Sequence, residues 1–289
     1  MKRRDAVRNS VLLAAMINTG FITNLMAKRS GTKIRIGACD WSLGMDSNPA
    51  AFDLAKQIGL AGVQVNLGSL KNNLHLREKS VQETYLQISK RTDVAIAGLA
   101  IGELNNVPYK SDARTDQWVS DSMDVASALG VKVILLAFFS RNDLRNDEPG
   151  KKEVIRKLKL LALKAEKLGV ILGIESYLSA EELMDIIQQI GSKNVKVFYD
   201  FRNAADAGYD VIREIKWLGK NNICELHMKE NGQLLGKGTM DWEKICNTLI
   251  EMDYYGDGWM QIEWAMPQDA DLIKSYRNNM QFLQSCFHY

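Results

Sequence analysis

Residues 151–175 are KKEVIRKLKLLALKAEKLGVILGIE, and this stretch contains one complete helix-to-strand unit. Its first part repeats apolar residues with a helical period, forming one stripe of Val154, Ile155, Leu158, Leu161, Ala162, Ala165 and Leu168. Gly169 follows the stripe and predicts the end of the helix, because glycine favours the left-handed conformation found there. Val170–Glu175 is then almost entirely apolar, as expected for a strand buried on both faces.

The same alternation of helical segments and short apolar runs continues through the chain from residue 33 onward. Gly59 and Gly130 end earlier helices in the same way as Gly169. The eight predicted strands are Lys33–Ala38, Ala61–Val65, Val94–Ala100, Lys132–Phe138, Val170–Glu175, Val195–Asp200, Ile223–His227 and Trp259–Glu263.

Eight strands, each followed by a helix, in about 250 residues predict an α/β fold, a single (β/α)8 TIM barrel. An open, doubly wound sheet is the competing architecture, but no Gly-x-Gly-x-x-Gly follows the first strand. No linker divides the chain. The longest connection, Ser140–Gly150, is predicted to be a polar loop at the carboxyl end of the barrel.

The composition excludes several classes of protein. The 289 residues include 46% hydrophobic and 25% charged residues, which is typical of a globular protein with a full core. Lys and Arg total 37 against 35 Asp and Glu, so no basic excess favours nucleic acid as a partner. The four cysteines lie far apart, which argues against a disulfide scaffold or a zinc ribbon. Cys39 and Cys224 are interpreted as small core residues.

The N-terminal segment has the layout of a signal peptide. Three of the first four residues are basic, and the mostly apolar stretch 11–27 ends in Ala27. Arg3–Val7 resembles the twin-arginine export motif. We therefore predict a twin-arginine-type signal over 1–27, a catalytic barrel over 28–289 and a periplasmic location. The alternative is a short amphipathic helix that caps the fold of a cytoplasmic protein.

The last four predicted strands each end in a residue that can bind a metal: Glu175, Asp200, His227 and Glu263. The carboxyl ends of barrel strands meet at one mouth, where the active sites of such barrels lie. Three carboxylates in a partly dry mouth are costly unless a cation compensates for them. The donor set predicts one divalent ion, Mn²⁺ in the first place, with Mg²⁺, Co²⁺ and Zn²⁺ as alternatives.

These four residues belong to a series of motifs that resembles the sugar isomerase/epimerase group with a xylose-isomerase-like barrel, which includes the keto-sugar 3-epimerases. In chain order the motifs are Cys39-Asp40-Trp41-Ser42, Gly173-Ile174-Glu175-Ser176, Asp200-Phe201-Arg202-Asn203, His227-Met228-Lys229-Glu230, Gly236-Lys237-Gly238-Thr239-Met240-Asp241-Trp242 and Gln261-Ile262-Glu263. The resemblance covers nearly all of 28–289. It implies that the four residues bind the metal and that Glu175 and Glu263 also transfer protons at the carbon next to a sugar carbonyl.

Further residues are candidates for contact with substrate. The predicted substrate-binding residues are Trp41, Glu103, Tyr177 and Lys229, and Asn203 is predicted to support the metal ligands. Flat aromatic faces pack against the C–H faces of sugars, so Phe138, Phe139 and Trp264 are additional lining candidates, with ordinary core positions as the alternative. Lys229 could instead pair with Glu230 or another loop acid. His75 and His288 are interpreted as surface residues.

The predicted function is that of a metal-dependent lyase or hydratase acting on unphosphorylated 3-keto-glycosides or on unsaturated 3-keto-sugars derived from them. The alternative is a keto-sugar epimerase or isomerase. A phosphorylated substrate is disfavoured because the last strands show no glycine-rich phosphate cradle and no arginine cluster. The resemblance also includes DNA-repair endonucleases, but these need several histidines and the chain has three. A module that holds a metal and a sugar without turnover is a further alternative.

The partner predictions follow from these interpretations. We expect a small carbohydrate substrate and no nucleic acid. We expect no stable membrane span, since such a span needs about 20 apolar residues and the stretch 11–27 contains Asn18, Thr19, Thr23 and Asn24. Assembly into a homo-oligomer stays open.

Overall fold

The computed structural model describes residues 34–254 and 258–287. Eight parallel strands form a closed barrel in chain order, and the pairing of the last strand with the first closes it. The strands are β1 (Arg35–Cys39), β2 (Gly62–Asn66), β3 (Ala95–Ile101), β4 (Val133–Phe138), β5 (Ile171–Ser176), β6 (Val195–Asp200), β7 (Ile223–Lys229) and β8 (Trp259–Glu263). The predicted single TIM barrel is confirmed, and each strand lies within two residues of its predicted bounds.

Helices connect successive strands. They are α1 (Ala51–Ile58), α2 (Lys79–Thr92), α3 (Arg114–Leu129), α4 (Glu148–Leu168), α5 (Ala180–Ile190), α6 (Phe201–Asp206), α7 (Val211–Leu218), α8 (Trp242–Glu251) and α9 (Leu272–Cys286). Gly59, Gly130 and Gly169 end α1, α3 and α4 with positive φ angles, as predicted.

The connection after β4 is shorter than the polar loop predicted over Ser140–Gly150. A 3₁₀ helix covers Ser140–Asn142, and α4 already begins at Glu148. Asp147 caps this helix by accepting a hydrogen bond from Gly150 N at 2.9 Å. Pro149 lies in the first turn, where its missing N–H costs nothing. These two features extend the helix beyond the apolar stripe that marked it in the sequence.

Side chains along β4 alternate between two apolar clusters. On β4, Ile134 and Leu136 belong to the large cluster shared with the helices, whereas Leu135 and Ala137 belong to a smaller one shared with residues of neighbouring strands. Strand register then sets which side chains are neighbours at the carboxyl end. Asp200 pairs with His227 across β6 and β7, and Lys229 pairs with Glu263 across β7 and β8.

Two predictions about membranes and export have different outcomes. Among the described helices, none is both long and apolar enough to cross a membrane. The predicted signal peptide over 1–27 lies outside the described residues, so this assignment stays a prediction.

Candidate metal centre

The four predicted metal ligands lie together at the carboxyl end of the barrel. One donor atom from each of Glu175, Asp200, His227 and Glu263 lies within 4.8 Å of the other three, and all four residues are buried. His227 Nδ1 is 3.1 Å from Glu175 Oε1, 3.8 Å from Asp200 Oδ2 and 3.7 Å from Glu263 Oε2. Strands β5 to β8 therefore direct these side chains at one common point.

The residues present fit a divalent ion. Asp200 Oδ2 is buried and makes no hydrogen bond with any described residue. Buried carboxylates are costly when the cations around them are too few. Carboxylate oxygens and an imidazole nitrogen are ligands for Mn²⁺, Mg²⁺, Co²⁺ and Zn²⁺ alike, so the expected preference for Mn²⁺ stays a prediction.

Burial and the neighbouring charges shift the pKa values in this cluster in different directions. Burial raises the pKa of Asp200 to about 7, although Lys229 opposes the shift. Burial acts in the same sense on Glu263, but His227 and Lys229 outweigh it and lower the pKa of Glu263 below its ordinary value. The two carboxylates therefore differ in how readily they take up a proton.

The side chain of His227 is held from the barrel interior by a residue that the sequence analysis missed. His227 Nε2 lies 2.9 Å from Gln64 Oε1, which can only accept a hydrogen bond. A proton on Nε2 satisfies this contact, and Nδ1 is the nitrogen that faces the carboxylates. Cys39 is buried in β1, as predicted for a core residue, but its Sγ also lies 3.4 Å from His227 Nε2.

Two side chains orient the glutamates. Trp41 Nε1 donates a hydrogen bond of 2.7 Å to Glu263 Oε1. Asn203 Nδ2 donates one of 3.2 Å to Glu175 Oε1, and the Asn203 backbone N–H donates to Asp200 Oδ1 at 2.8 Å. The structure thus places Asn203 against two of the predicted metal ligands, where the sequence analysis expects it to lie.

Lys229 faces the metal ligands and is not paired with Glu230. Its Nζ lies 2.9 Å from Glu263 Oε2 and donates a hydrogen bond of 3.2 Å to Asn203 Oδ1. Burial alone would lower the pKa of Lys229, but the carboxylates of Glu263 and Asp200 outweigh it and raise the pKa. The lysine remains charged beside the glutamates and lines the cavity above them.

Glu230 instead organises the loop that follows β7. Its Oε1 accepts hydrogen bonds from the backbone of Thr239 (2.8 Å) and Met240 (3.2 Å), and its Oε2 accepts one from Trp242 Nε1. A Cβ atom on Gly238 would lie 2.1 Å from Glu230 Oε1. The glycine-rich motif over 236–242 therefore wraps around a buried carboxylate.

A cavity of about 680 Å³ opens above the four ligands. Of these ligands, Glu175 and Glu263 line it, together with Trp41, Glu103, Phe139, Tyr177, Lys229 and Trp264. Phe138 does not line it, because alternation along β4 turns this ring into the outer core. Glu103 lies on a 3₁₀ helix (Gly102–Asn105) and not at the end of β3, which stops at Ile101.

Of the two remaining histidines, the described one, His75, does not belong to this cluster. His75 is half-buried on the 3₁₀ helix His75–Arg77, so its interpretation as a surface residue is only partly correct. His288 lies outside the described residues.

The described architecture has counterparts among known proteins. The xylose isomerase-like TIM barrel family matches residues 52–286. The chain belongs to this family. The resemblance inferred from the strand-end motifs is thereby confirmed.

Curated relatives of this xylose isomerase-like chain are epimerases. It is 29% identical over 128 residues to D-psicose 3-epimerase of Enterocloster bolteae, an alignment that covers 41% of this chain and 42% of that protein. It is 24% identical over 177 residues to 2-epi-5-epi-valiolone 7-phosphate 2-epimerase of Actinoplanes, with coverage of 61% and 65%. The chain therefore spans less than two thirds of the length of either relative.

Solved structures share the fold of this family member over most of its length. D-psicose 3-epimerase from Clostridium cellulolyticum superposes with a TM-score of 0.73 at 16% identity and covers 88% of this chain and 99% of that chain. The 3-keto-D-glucoside 4-epimerase from E. coli gives a TM-score of 0.70 at 15% identity, with coverage of 88% and 100%. At these identities the likeness shows a common fold.

Proposed function

We propose that the protein is an epimerase of an unphosphorylated keto-sugar, which removes and returns the proton on the carbon next to the carbonyl. The observation that carries this proposal is the arrangement of the two glutamates. Glu175 and Glu263 both line the cavity, whereas Asp200 and His227 lie beneath it. Of these four residues, the two glutamates are thus the ones that a substrate in the cavity can contact. The curated relatives named as epimerases support the same reaction class.

The residues of the chain would divide the work as follows. Glu175, Asp200, His227 and Glu263 would hold one divalent ion, which supplies electrostatic stabilisation of negative charge on the sugar oxygens. One glutamate takes the proton from the substrate carbon, and the other returns a proton to the opposite face. Asn203 Nδ2 donates a hydrogen bond to Glu175 Oε1, which leaves Oε2 of Glu175 to take the proton. Trp41 donates a hydrogen bond to Glu263 Oε1, and Glu263 Oε2 faces both the cluster and Lys229.

The charges around the cavity favour a substrate without phosphate. Among the residues that line it, the cations are Lys71 and Lys229, and Lys229 is already paired with Glu263. A phosphate group is commonly held by several donors such as arginines or a helix N-terminus. We therefore propose a neutral keto-sugar.

Lyase or hydratase action on a 3-keto-glycoside is the second candidate, and the size of the cavity favours it. Cavities of about 300–1,000 Å³ bury ligands of drug size, and this one has about 680 Å³. Its rim includes the exposed apolar side chains of Leu70 and Trp264, which are 51% and 47% exposed. A second sugar or an aromatic aglycone would have apolar surface to contact there.

One experiment separates the two candidates. The Mn²⁺-loaded protein is incubated in D₂O with a free ketohexose and, separately, with a 3-keto-glucoside that carries a chromogenic aglycone. Epimerase action gives an epimer with deuterium at the inverted carbon and no released aglycone. Release of the aglycone, or formation of an unsaturated sugar, would establish the lyase reading. Absence of both exchange and elimination with every substrate would refute the proposed reaction class.

A further inference from the structure

The side of the cavity that faces the predicted metal ligands has a polar wall formed by Asp46, Asn66 and Glu103. Asp46 lies in the loop after β1, Asn66 ends β2, and Glu103 lies on the 3₁₀ helix that follows β3. Because the strands close the barrel in chain order, β2 and β3 lie across the mouth from β6 and β7. We call these three residues the distal wall. A sugar held at the metal ligands would point its far end towards them.

Asn66 connects the two acids of the distal wall. Its Nδ2 donates a hydrogen bond of 2.9 Å to Asp46 Oδ1, and its Oδ1 accepts one of 3.2 Å from Gly102 N. Gly102 directly precedes Glu103, and a Cβ atom on it would lie 3.3 Å from Asn66 Nδ2. Both polar atoms of the Asn66 amide therefore have a partner within the protein. The carboxylates of Asp46 and Glu103 are the groups of this wall with acceptor oxygens to offer a ligand.

Glu103 is a buried carboxylate that the protein itself does little to stabilise. It is 8% exposed, and its side chain accepts one hydrogen bond from the described residues, a long one of 3.5 Å from Asn106 Nδ2. No lysine or arginine of the described residues forms an ion pair with Glu103 or Asp46. A buried carboxylate is costly unless it accepts hydrogen bonds. A ligand in the cavity can supply the missing donors.

We propose that Glu103 and Asp46 determine substrate specificity by accepting hydrogen bonds from hydroxyl groups at the end of the sugar remote from the reacting carbon. This inference rests on the proposed function, which places the reacting carbon at Glu175 and Glu263. An ionised carboxylate can only accept hydrogen bonds, so the distal wall selects groups that donate them. The hydroxyls of a neutral sugar meet this requirement.

An anionic group at the same end of the substrate would be disfavoured. It would face the like charges of Asp46 and Glu103. The lysines that line the cavity are Lys229, which is paired with Glu263, and Lys71, which is exposed to solvent. The distal wall therefore discriminates against both a deoxygenated end and a phosphorylated end. Each loss should weaken binding by about 10- to 100-fold, as expected for a hydrogen bond to a charged group.

The test measures ligand binding and proton exchange on the same Mn²⁺-loaded full chain. The probes are D-fructose, 6-deoxy-D-fructose and D-fructose 6-phosphate, and isothermal titration calorimetry gives the Kd of each. We expect the wild type to bind D-fructose about 10- to 100-fold more tightly than the other two probes. E103A should remove most of the difference between D-fructose and its deoxy form, because it weakens the binding of D-fructose alone. A merely structural residue would weaken the binding of both sugars alike.

Two further variants sharpen the test. E103Q keeps the shape of the side chain but removes its charge, so the 6-phosphate should gain affinity relative to D-fructose. E83A is the matched control, since Glu83 is exposed on α2 and does not line the cavity, and its three Kd values should equal those of the wild type.

Equal affinity of the wild type for D-fructose and its deoxy form would overturn the proposal. So would a difference that E103A leaves unchanged, or failure of all three probes to bind. Proton exchange in D₂O without discrimination between the sugars would leave the proposed epimerase reaction intact and remove this inference. Discrimination that depends on Glu103 without any exchange would do the reverse.

Discussion

Glu263 has a different environment from the other carboxylates because two donors hold it. Trp41 Nε1 reaches its Oε1 at 2.7 Å, and Lys229 Nζ lies 2.9 Å from its Oε2. Both contacts favour the ionised form, in agreement with the lowered pKa of Glu263. A carboxylate that stays ionised and has a fixed orientation can bind a cation and accept a proton from a substrate.

Replacement of Trp41 by phenylalanine removes the N–H that orients Glu263 but keeps an aromatic ring in the cavity. We expect W41F to lower kcat by about 10-fold, since a hydrogen bond to a charged group contributes about 1.5–3 kcal/mol. Steady-state kinetics at saturating metal measures this effect. W217F is the matched control, because Trp217 is 51% exposed on α7 and does not line this cavity. An unchanged kcat in W41F would show that the indole does not orient Glu263.

At the scale of elements, the loop between β7 and α8 depends on a glycine that has no room for a side chain. The Cβ of an alanine at position 238 would collide with the carboxylate of Glu230, which holds the backbone of the same loop. Glu230 directly follows β7, which carries His227 and Lys229. Displacement of Glu230 would therefore disturb both the loop and the strand end beside the metal ligands.

We expect G238A to lower the free energy of unfolding by about 1–3 kcal/mol, the usual cost of overpacking. Urea unfolding measures the loss. K237A is the control, since Lys237 is exposed in the same loop, and its stability should be unchanged. If G238A proved as stable as K237A, the close packing of Glu230 against Gly238 would not contribute to the stability of the loop.

Strands and strand-end residues are the elements that the sequence predicts best. A parallel strand is buried on both faces, so its apolar run is visible in the sequence without any knowledge of its neighbours. Glu175, Asp200, His227 and Glu263 follow from the same pattern, because each ends or nearly ends such a run.

Contacts across the barrel are less accessible to sequence analysis. Gln64 reaches His227 only because β2 and β7 enclose the same interior, and closure of the sheet is not encoded in either strand alone. The one local signal was a polar residue in the middle of the buried strand Gly62–Asn66. Phe138 and Phe139 illustrate the same limit, since a shift of one residue decides which ring faces the cavity.

At the scale of the whole molecule, stability should depend on pH through Glu214, a buried residue on α7. Burial raises the pKa of Glu214 above its ordinary value of 4.5, although hydrogen bonds from Ala180 N and Tyr199 OH oppose the shift. The folded protein therefore binds this proton more tightly than the unfolded chain does. The stabilisation is complete below the unfolded pKa and is lost as the pH rises through the folded pKa.

The variant E214Q replaces the carboxyl group of Glu214 by an amide of the same shape. This amide cannot ionise. Between about pH 4.5 and pH 8, we expect the free energy of unfolding of the wild type to fall more than that of E214Q. Urea unfolding at both pH values measures the difference. Identical pH dependence in the two proteins would contradict the assignment.

The proposed division of the chain at residue 28 also concerns the whole molecule. We expect a protein that consists of residues 28–289 to keep the Tm and activity of the full chain, because the first predicted strand begins only at residue 33. Differential scanning calorimetry and a turnover assay measure both properties. Loss of folding would favour the capping-helix alternative over a signal peptide.

Isotope exchange in the variants E175Q and E263Q tests whether Glu175 and Glu263 carry the proton. Each metal-loaded variant is incubated with the keto-sugar substrate in D₂O, and bound metal is measured in the same sample. E243Q, which changes an exposed glutamate on α8, is the control. With metal bound, we expect epimer formation to fall by about 10²- to 10⁴-fold in each site variant. Each epimer loses its proton to one of the two glutamates. The variant in which that glutamate is intact should still exchange the proton of that epimer for deuterium. Near-normal turnover in both variants with metal bound would show that neither glutamate carries the proton.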